Sequence, residues 1–352
     1  MKTIKKLLAL TLVLCMVFCL SVAVFAEGEG GTTPTEPTTP GTNTYKDMET
    51  VTITKKYELT NAETISPAET FTFVNVTCTG IESAGIDPTT QMPVAAASAP
   101  IPTIASVSYE KGEAGSNTMA KEITITLPSY TIVGVYTYTF YENNNNTAGV
   151  DYREAPITLK VTVIEQDGKV RVAGVHTEGD GETKSDSFNN TYSAGKLSVS
   201  KTVTGNLGDR DNKYFEFKVK FTKPEGKNLK SDITYQTKVG EKDTTISESN
   251  WGSDGTVEVT IQLKHDQTIT FTNIPYGVTY EVTETAAEGY TTTATGATGK
   301  IENATQTAAF TNNKDGEIDT GITLDSLPYI LALAVAFGGA VVLFTRKRHV
   351  ED

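Results

Sequence analysis

Cysteine is almost missing from this chain of 352 residues: it has three. Two of them, Cys15 and Cys19, lie in residues 1–26, which have the layout of a secretory signal peptide. Lys2, Lys5 and Lys6 come first, then an apolar stretch from Leu7 to Val24, then Val24-Phe25-Ala26 before Glu27. Leu14 and Phe18 precede the two cysteines, where a lipoprotein cleavage site would need small residues. The exported chain therefore keeps Cys78 alone, which excludes an intramolecular disulfide and reads as an inert, partly buried thiol. Without disulfides, an extracellular protein must draw its durability from elsewhere.

Histidine is equally sparse. His176, His265 and His349 are scattered, with no cysteine or acidic partner at ligand spacing, so neither a metal centre nor a cofactor is expected. No glycine-rich phosphate loop is present; Gly296 to Gly299 sits in Thr/Ala loop sequence. Excess positive charge is lacking too. The formal net charge is −13, with acidic groups spread along the chain, which argues against nucleic acid or an anionic membrane surface as a partner. Asn143-Asn-Asn-Asn-Thr147 reads as a polar loop.

Residues 27–49 are rich in Gly, Thr, Pro and Glu and read as a disordered arm. From about Val51, short β-branched and aromatic runs recur between Gly, Asn, Asp and Pro: Val51–Leu59, Phe71–Val76, Ile123–Leu127, Val135–Tyr141, Ile157–Ile164 and Lys169–Val175. The pattern resumes with Lys196–Val203, Phe215–Phe221, Thr256–Leu263, Thr268–Phe271, Val278–Thr283 and Thr307–Phe310. This spacing, without a convincing amphipathic helix, predicts an all-β chain of tandem β-sandwich domains, residues 50–192 and 193–314.

Residues 315–352 form a tail. Leu327 to Phe344 is an uncharged run long enough to cross a bilayer as a helix of about 27 Å. Arg346-Lys-Arg348 follows it and would stay in the cytoplasm, leaving all earlier residues outside. A plain membrane anchor and a cell-wall sorting signal share this layout, and only Glu317-Ile-Asp-Thr-Gly321 can separate the two.

The two sandwiches repeat each other faintly. Each opens on a strand with an embedded lysine, Val51-Thr-Ile-Thr-Lys55-Lys-Tyr57 and Leu197-Ser-Val-Ser-Lys201-Thr-Val203. Each has a late strand ending in glutamate, at Glu142 and Glu284, and each closes on Phe-x-Asn, at Phe188-Asn-Asn190 and Phe310-Thr-Asn312. Strand residues two apart share a face. Lys55, Glu142 and Asn190, and likewise Lys201, Glu284 and Asn312, are therefore in phase with apolar neighbours, while Lys56 and Asn189 face the other way.

Lysine and glutamate are rarely buried unless paired. A buried ion pair with a hydrogen-bonded Asn, or strand ends that reach solvent, would satisfy this pattern. So would a pair of self-made isopeptide bonds, Lys55–Asn190 and Lys201–Asn312. Desolvation lowers a lysine's pKa and raises a glutamate's. A neutral amine can then attack the Asn carbonyl while Glu142 or Glu284 polarises it and shuttles protons as ammonia leaves.

In these residues the chain resembles the Gram-positive backbone pilins of the streptococcal T-antigen type, from the opening strand through the tail. The resemblance implies two immunoglobulin-like domains with one Lys–Asn isopeptide bond in each, and no enzyme beyond that single autocatalytic turnover. It also implies a cell-surface pilus whose partners are a sortase, identical subunits, tip and basal pilins, and peptidoglycan. The membrane would hold the tail only until processing. In that family a Glu-Val-Pro-Thr-Gly motif follows the second Asn, and Glu317-Ile-Asp-Thr-Gly321 stands at that place, with Asp319 where the family has Pro. By analogy a sortase would cut between Thr320 and Gly321 and pass Thr320 to a lysine of the next subunit. Lys184 is the nearest match for that lysine, offset by one residue, with Lys169 as the fallback. An anchored adhesin stalk or a basal pilin would use the same two sandwiches.

Overall fold

A computed structural model describes residues 47–115, 120–179, 183–317 and 328–337. The expected signal peptide at residues 1–26, the expected arm up to residue 46, and Asp319, Thr320 and Gly321 lie outside the described residues. Of the expected membrane span, residues 328–337 are helical and the rest is likewise outside. Among the described residues no helix is long and apolar enough to cross a membrane.

The first half contains β1 (Thr50–Leu59), β2 (Glu69–Phe71), β3 (Phe73–Glu82), β4 (Thr103–Ile104), β5 (Val107–Tyr109), β6 (Lys121–Thr126), β7 (Gly134–Glu142), β8 (Val150–Asp151), β9 (Ile157–Gln166), β10 (Lys169–Glu178) and β11 (Ser187–Tyr192). One sheet runs β4-β6-β1-β11-β8 and the other β10-β9-β7-β3. Alternating side chains from both sheets, among them Ile53, Tyr57, Ile123, Tyr138, Phe140, Leu159 and Phe188, interleave in one core.

The second half has β12 (Ala194–Thr204), β13 (Phe215–Thr222), β14 (Ile233–Tyr235), β15 (Thr244–Ile246), β16 (Thr256–Leu263), β17 (Gln267–Pro275), β18 (Thr279–Glu284), β19 (Thr291–Thr295), β20 (Thr298–Lys300) and β21 (Thr305–Asn313). Its sheets run β15-β14-β17-β12-β21-β19 and β16-β13-β18-β20. A second core of Leu197, Val199, Phe217, Phe221, Ile261, Phe271 and Phe310 lies between them.

The strand expected at Phe71–Val76 is two strands. The chain changes sheet at Thr72, so β2 pairs with β5 while β3 pairs with β7. Three of the short strands had no apolar alternation to announce them: β15, β19 and β20 carry threonine in place of it, and β19 is exposed along its whole length. They form because neighbouring strands offer free backbone partners.

Candidate functional site

In each half the first strand lies beside the last, in parallel. The β1–β11 register sets Lys55 opposite Phe188 and Tyr57 opposite Asn190. The β12–β21 register sets Lys201 opposite Phe310 and Val203 opposite Asn312. Lysine and asparagine are therefore offset by two residues on adjacent strands, on the core face, in both halves. The glutamate comes from the facing sheet, at the last residue of β7 or of β18.

The first triad forms a closed ring. Lys55 Nζ donates to Glu142 Oε2 and to Asn190 Oδ1, and Asn190 Nδ2 donates to Glu142 Oε1. The side chains of Lys55 and Glu142 are wholly shielded from water. Phe71 walls the amine, its ring centroid 4.5 Å from Nζ. The Tyr109 hydroxyl donates to the Lys55 carbonyl at 2.6 Å and pins that backbone. Burial pulls Lys55 below the ordinary lysine value, against the raising effect of Glu142; the Arg153 charge adds to the lowering.

In the second triad Lys201 Nζ donates to Glu284 Oε2 at 2.7 Å, and Asn312 Nδ2 donates to Glu284 Oε1. Phe215 lies 4.4 Å from the amine. Burial again lowers Lys201, with Glu284 opposing. Asn312 Oδ1, the counterpart of the oxygen that Lys55 meets in the first triad, is buried without a hydrogen-bond partner. In both triads a carboxyl is hydrogen-bonded to an amine and to a side-chain amide at once. Groups so placed have the chemistry that acyl transfer from amide to amine requires: a nucleophile, an acyl donor and a carboxyl able to carry a proton between them.

The other expected residues lie apart from these triads. Asn189 is exposed and Lys56 half-exposed, on the opposite strand face. Lys184 is exposed, bridges to Glu178 by backbone pairing, and borders a groove lined by Val51, Thr52, Val175, His176, Thr177 and Asp186. Lys169 is exposed where β10 begins. Cys78 is half-buried, and burial pushes its thiol up. Among the described residues no group of three or more His, Cys, Asp or Glu side chains could hold a metal ion.

Sequence reasoning passed over the loop at residues 143–147. Thr147 bridges to Asn228 by backbone pairing, Asn228 N donates to the Asn146 carbonyl at 2.8 Å, and Ala148 packs in the second core. This loop is a junction between the halves. Its buried carboxylate is Glu69, which holds Asn145 and Thr147 from the first half and Lys230 from the second. The one available signal was that Glu69 shares a face with Phe71.

Residues 51–193 match the family model described as the Spy0128-like isopeptide containing domain, and residues 195–314 match a domain of unknown function. The chain is 29% identical over 325 residues to a pilin of Streptococcus pyogenes serotype M1, covering 84% of this chain and 90% of that protein. It is 34% identical over 137 residues to the pilus tip adhesin Cpa of Streptococcus pyogenes, covering 37% of this chain and 18% of that protein. The crystal structure of the major pilin from Streptococcus pyogenes aligns with a TM-score of 0.51 at 25% identity, covering 76% of this chain and 99% of that one.

Proposed function

We propose that this chain is a Gram-positive backbone pilin, the repeating subunit of a sortase-assembled covalent pilus hardened from within by self-made isopeptide bonds. Its two halves are immunoglobulin-like domains, residues 50–192 and 193–314. The observation that carries the proposal is the repeated triad: a shielded lysine, a side-chain amide two residues offset on the parallel neighbour strand, and a carboxyl from the facing sheet that touches both.

The reaction needs no cofactor. The neutral amine of Lys55 attacks Asn190 Cγ, the Nζ–Cγ bond forms, the Cγ–Nδ2 bond breaks, and ammonia leaves. Glu142 takes the proton shed by the amine and hands it to the departing nitrogen, ending as it began. Lys201, Glu284 and Asn312 repeat the sequence. Each bond ties the first strand of its domain to the last, so tension between those strands no longer rests on hydrogen bonds. This is chemistry on the chain itself, once per domain, and not turnover.

Assembly is carried by the tail and by Lys184. A sortase cuts between Thr320 and Gly321 and transfers Thr320 to Lys184 of the next subunit. Asp319 in place of Pro removes the backbone constraint that proline imposes, so the enzyme is one specialised for this tail. The mature fibre stands on the cell wall outside the membrane.

The test is the intact mass of residues 27–315 made without any sortase. The expected mass is short by two ammonia molecules, and Glu142→Ala and Glu284→Ala each restore one. A full mass would reduce the triads to buried ion pairs. High-mass ladders that survive boiling in detergent separate a fibre subunit from an anchored adhesin stalk or basal pilin, which would run as a single band.

A further inference from the structure

We propose a third cross-link site, between Lys230 and Asn145 with Glu69 as its carboxyl, that joins the two halves covalently. It rests on the reading above, that a Lys–Glu–Asn group with a buried carboxyl closes by losing ammonia. The sequence repeat did not announce it, because its three residues lie on unrelated segments.

The parts match those of the two triads. Glu69 is wholly buried at its side chain, as is Glu142. Asn145 Nδ2 donates to Glu69 Oε1 at 2.6 Å, and Lys230 Nζ lies 3.2 Å from Oε2 and 3.4 Å from Oε1. Amine and amide thus share one carboxyl, in the relation that Lys55 and Asn190 have to Glu142. Thr147 Oγ1 donates to Oε2 at 2.7 Å and holds the carboxyl in place.

The amide is prepared as well. Asn143 Nδ2 donates to Asn145 Oδ1 at 2.8 Å, polarising the carbonyl that an amine would attack. Asn145 Nδ2 also donates to the Thr70 carbonyl at 2.9 Å, and Asn228 Nδ2 donates to the Asn145 carbonyl at 3.1 Å. The target is therefore fixed from both sides of the junction, while lysine's four-carbon stem leaves the nucleophile free to swing.

In the reaction Lys230 Nζ bonds to Asn145 Cγ, the Cγ–Nδ2 bond breaks, and ammonia leaves. Glu69 carries the proton from amine to leaving group. Two features differ: Lys230 and Asn145 lie in loops rather than on paired strands, and the Lys230 side chain is 34% exposed, whereas Lys55 and Lys201 are fully shielded. Water competes for this amine, so the bond closes more slowly than the other two, and only after the halves have docked.

The experiment digests the full chain, made without sortase, at intervals after purification and maps branched peptides by tandem mass spectrometry. The expected result is a branched peptide joining Lys230 to Asn145, one ammonia lighter than its parts, that accumulates with time. It is lost in Lys230→Arg, which keeps the charge beside Glu69, and in Glu69→Gln. Recovery of Lys230 only in unbranched peptides, while the 55–190 and 201–312 branches are present, overturns the third site alone. Absence of all three branches overturns the reading of the triads with it.

Discussion

A lysine in a protein core is costly unless its charge is answered or removed. Lys55 and Lys201 are both held below the ordinary value of 10.5 by burial. Until the bond closes, the unfolded chain binds a proton that the folded chain resists, across the window from the lowered folded value up to 10.5. Stability in that window rises with pH and is lost as pH falls. Amide formation removes the titrating nitrogen and with it this slope. The Asn190→Ala/Asn312→Ala variant should therefore gain denaturant resistance with rising pH relative to the native chain; parallel pH profiles would contradict this. Lys55→Met, compared with Asn190→Ala so that both lack the bond, should lose a further 1–3 kcal/mol or about that, because Glu142 is left buried without the amine that hydrogen-bonds to it. Equilibrium denaturation measures the difference, and replacing Glu142 by Leu in the same chain should recover most of it.

The element that matters most is the parallel pair, β1 with β11 and β12 with β21. Pulling the start of the first strand against the end of the last shears the pair along its length, and the proposed Lys–Asn bond would take that shear within two residues of register. Single-molecule stretching from the two ends of residues 50–314 should show no domain unfolding step in the native chain. Glu142→Ala should release one step, and Glu142→Ala/Glu284→Ala two. Steps in the native chain would place the load outside the cross-links. At the junction, Gly149 has φ +80°, and a Cβ there would lie 2.6 Å from the Ser193 carbonyl oxygen and 2.9 Å from the Tyr192 ring. Gly149→Ala should cost at least 1–2 kcal/mol, roughly the penalty for an L-residue in that conformation, read as a lowered denaturant midpoint.

Across the whole molecule, the attachment point decides which bonds bear tension. If force enters a subunit at Lys184, it follows β11 into β12 and leaves beyond Asn312. The proposed Lys201–Asn312 bond would then bridge the entire second half, while the proposed Lys55–Asn190 bond would lie off the main path and serve chiefly to keep the first half folded. Fibres of Glu284→Ala subunits should accordingly stretch further under load than fibres of Glu142→Ala subunits. Lys184→Arg should abolish the high-mass ladder when the sortase is present, and Lys169→Arg should leave it intact. The opposite pattern would move the attachment to the β10 turn. The junction makes the halves one unit: Ala148 packs into the second core and Ala194 into the first.

The amino-acid sequence determined, by itself, the β character, two apolar cores and the polar residues in phase with them. That information is local, because a period of two converts spacing directly into a face. It made Lys55, Glu142, Asn190 and their counterparts visible as misplaced polar groups before any strand had a neighbour. Tertiary structure alone decided that the lysine and asparagine strands are parallel neighbours at a two-residue offset, that the glutamate arrives from the facing sheet, and that Glu69, Asn145 and Lys230 meet at all. Pairings between segments so far apart are set by how whole sheets pack and twist, and no single segment's periodicity records them.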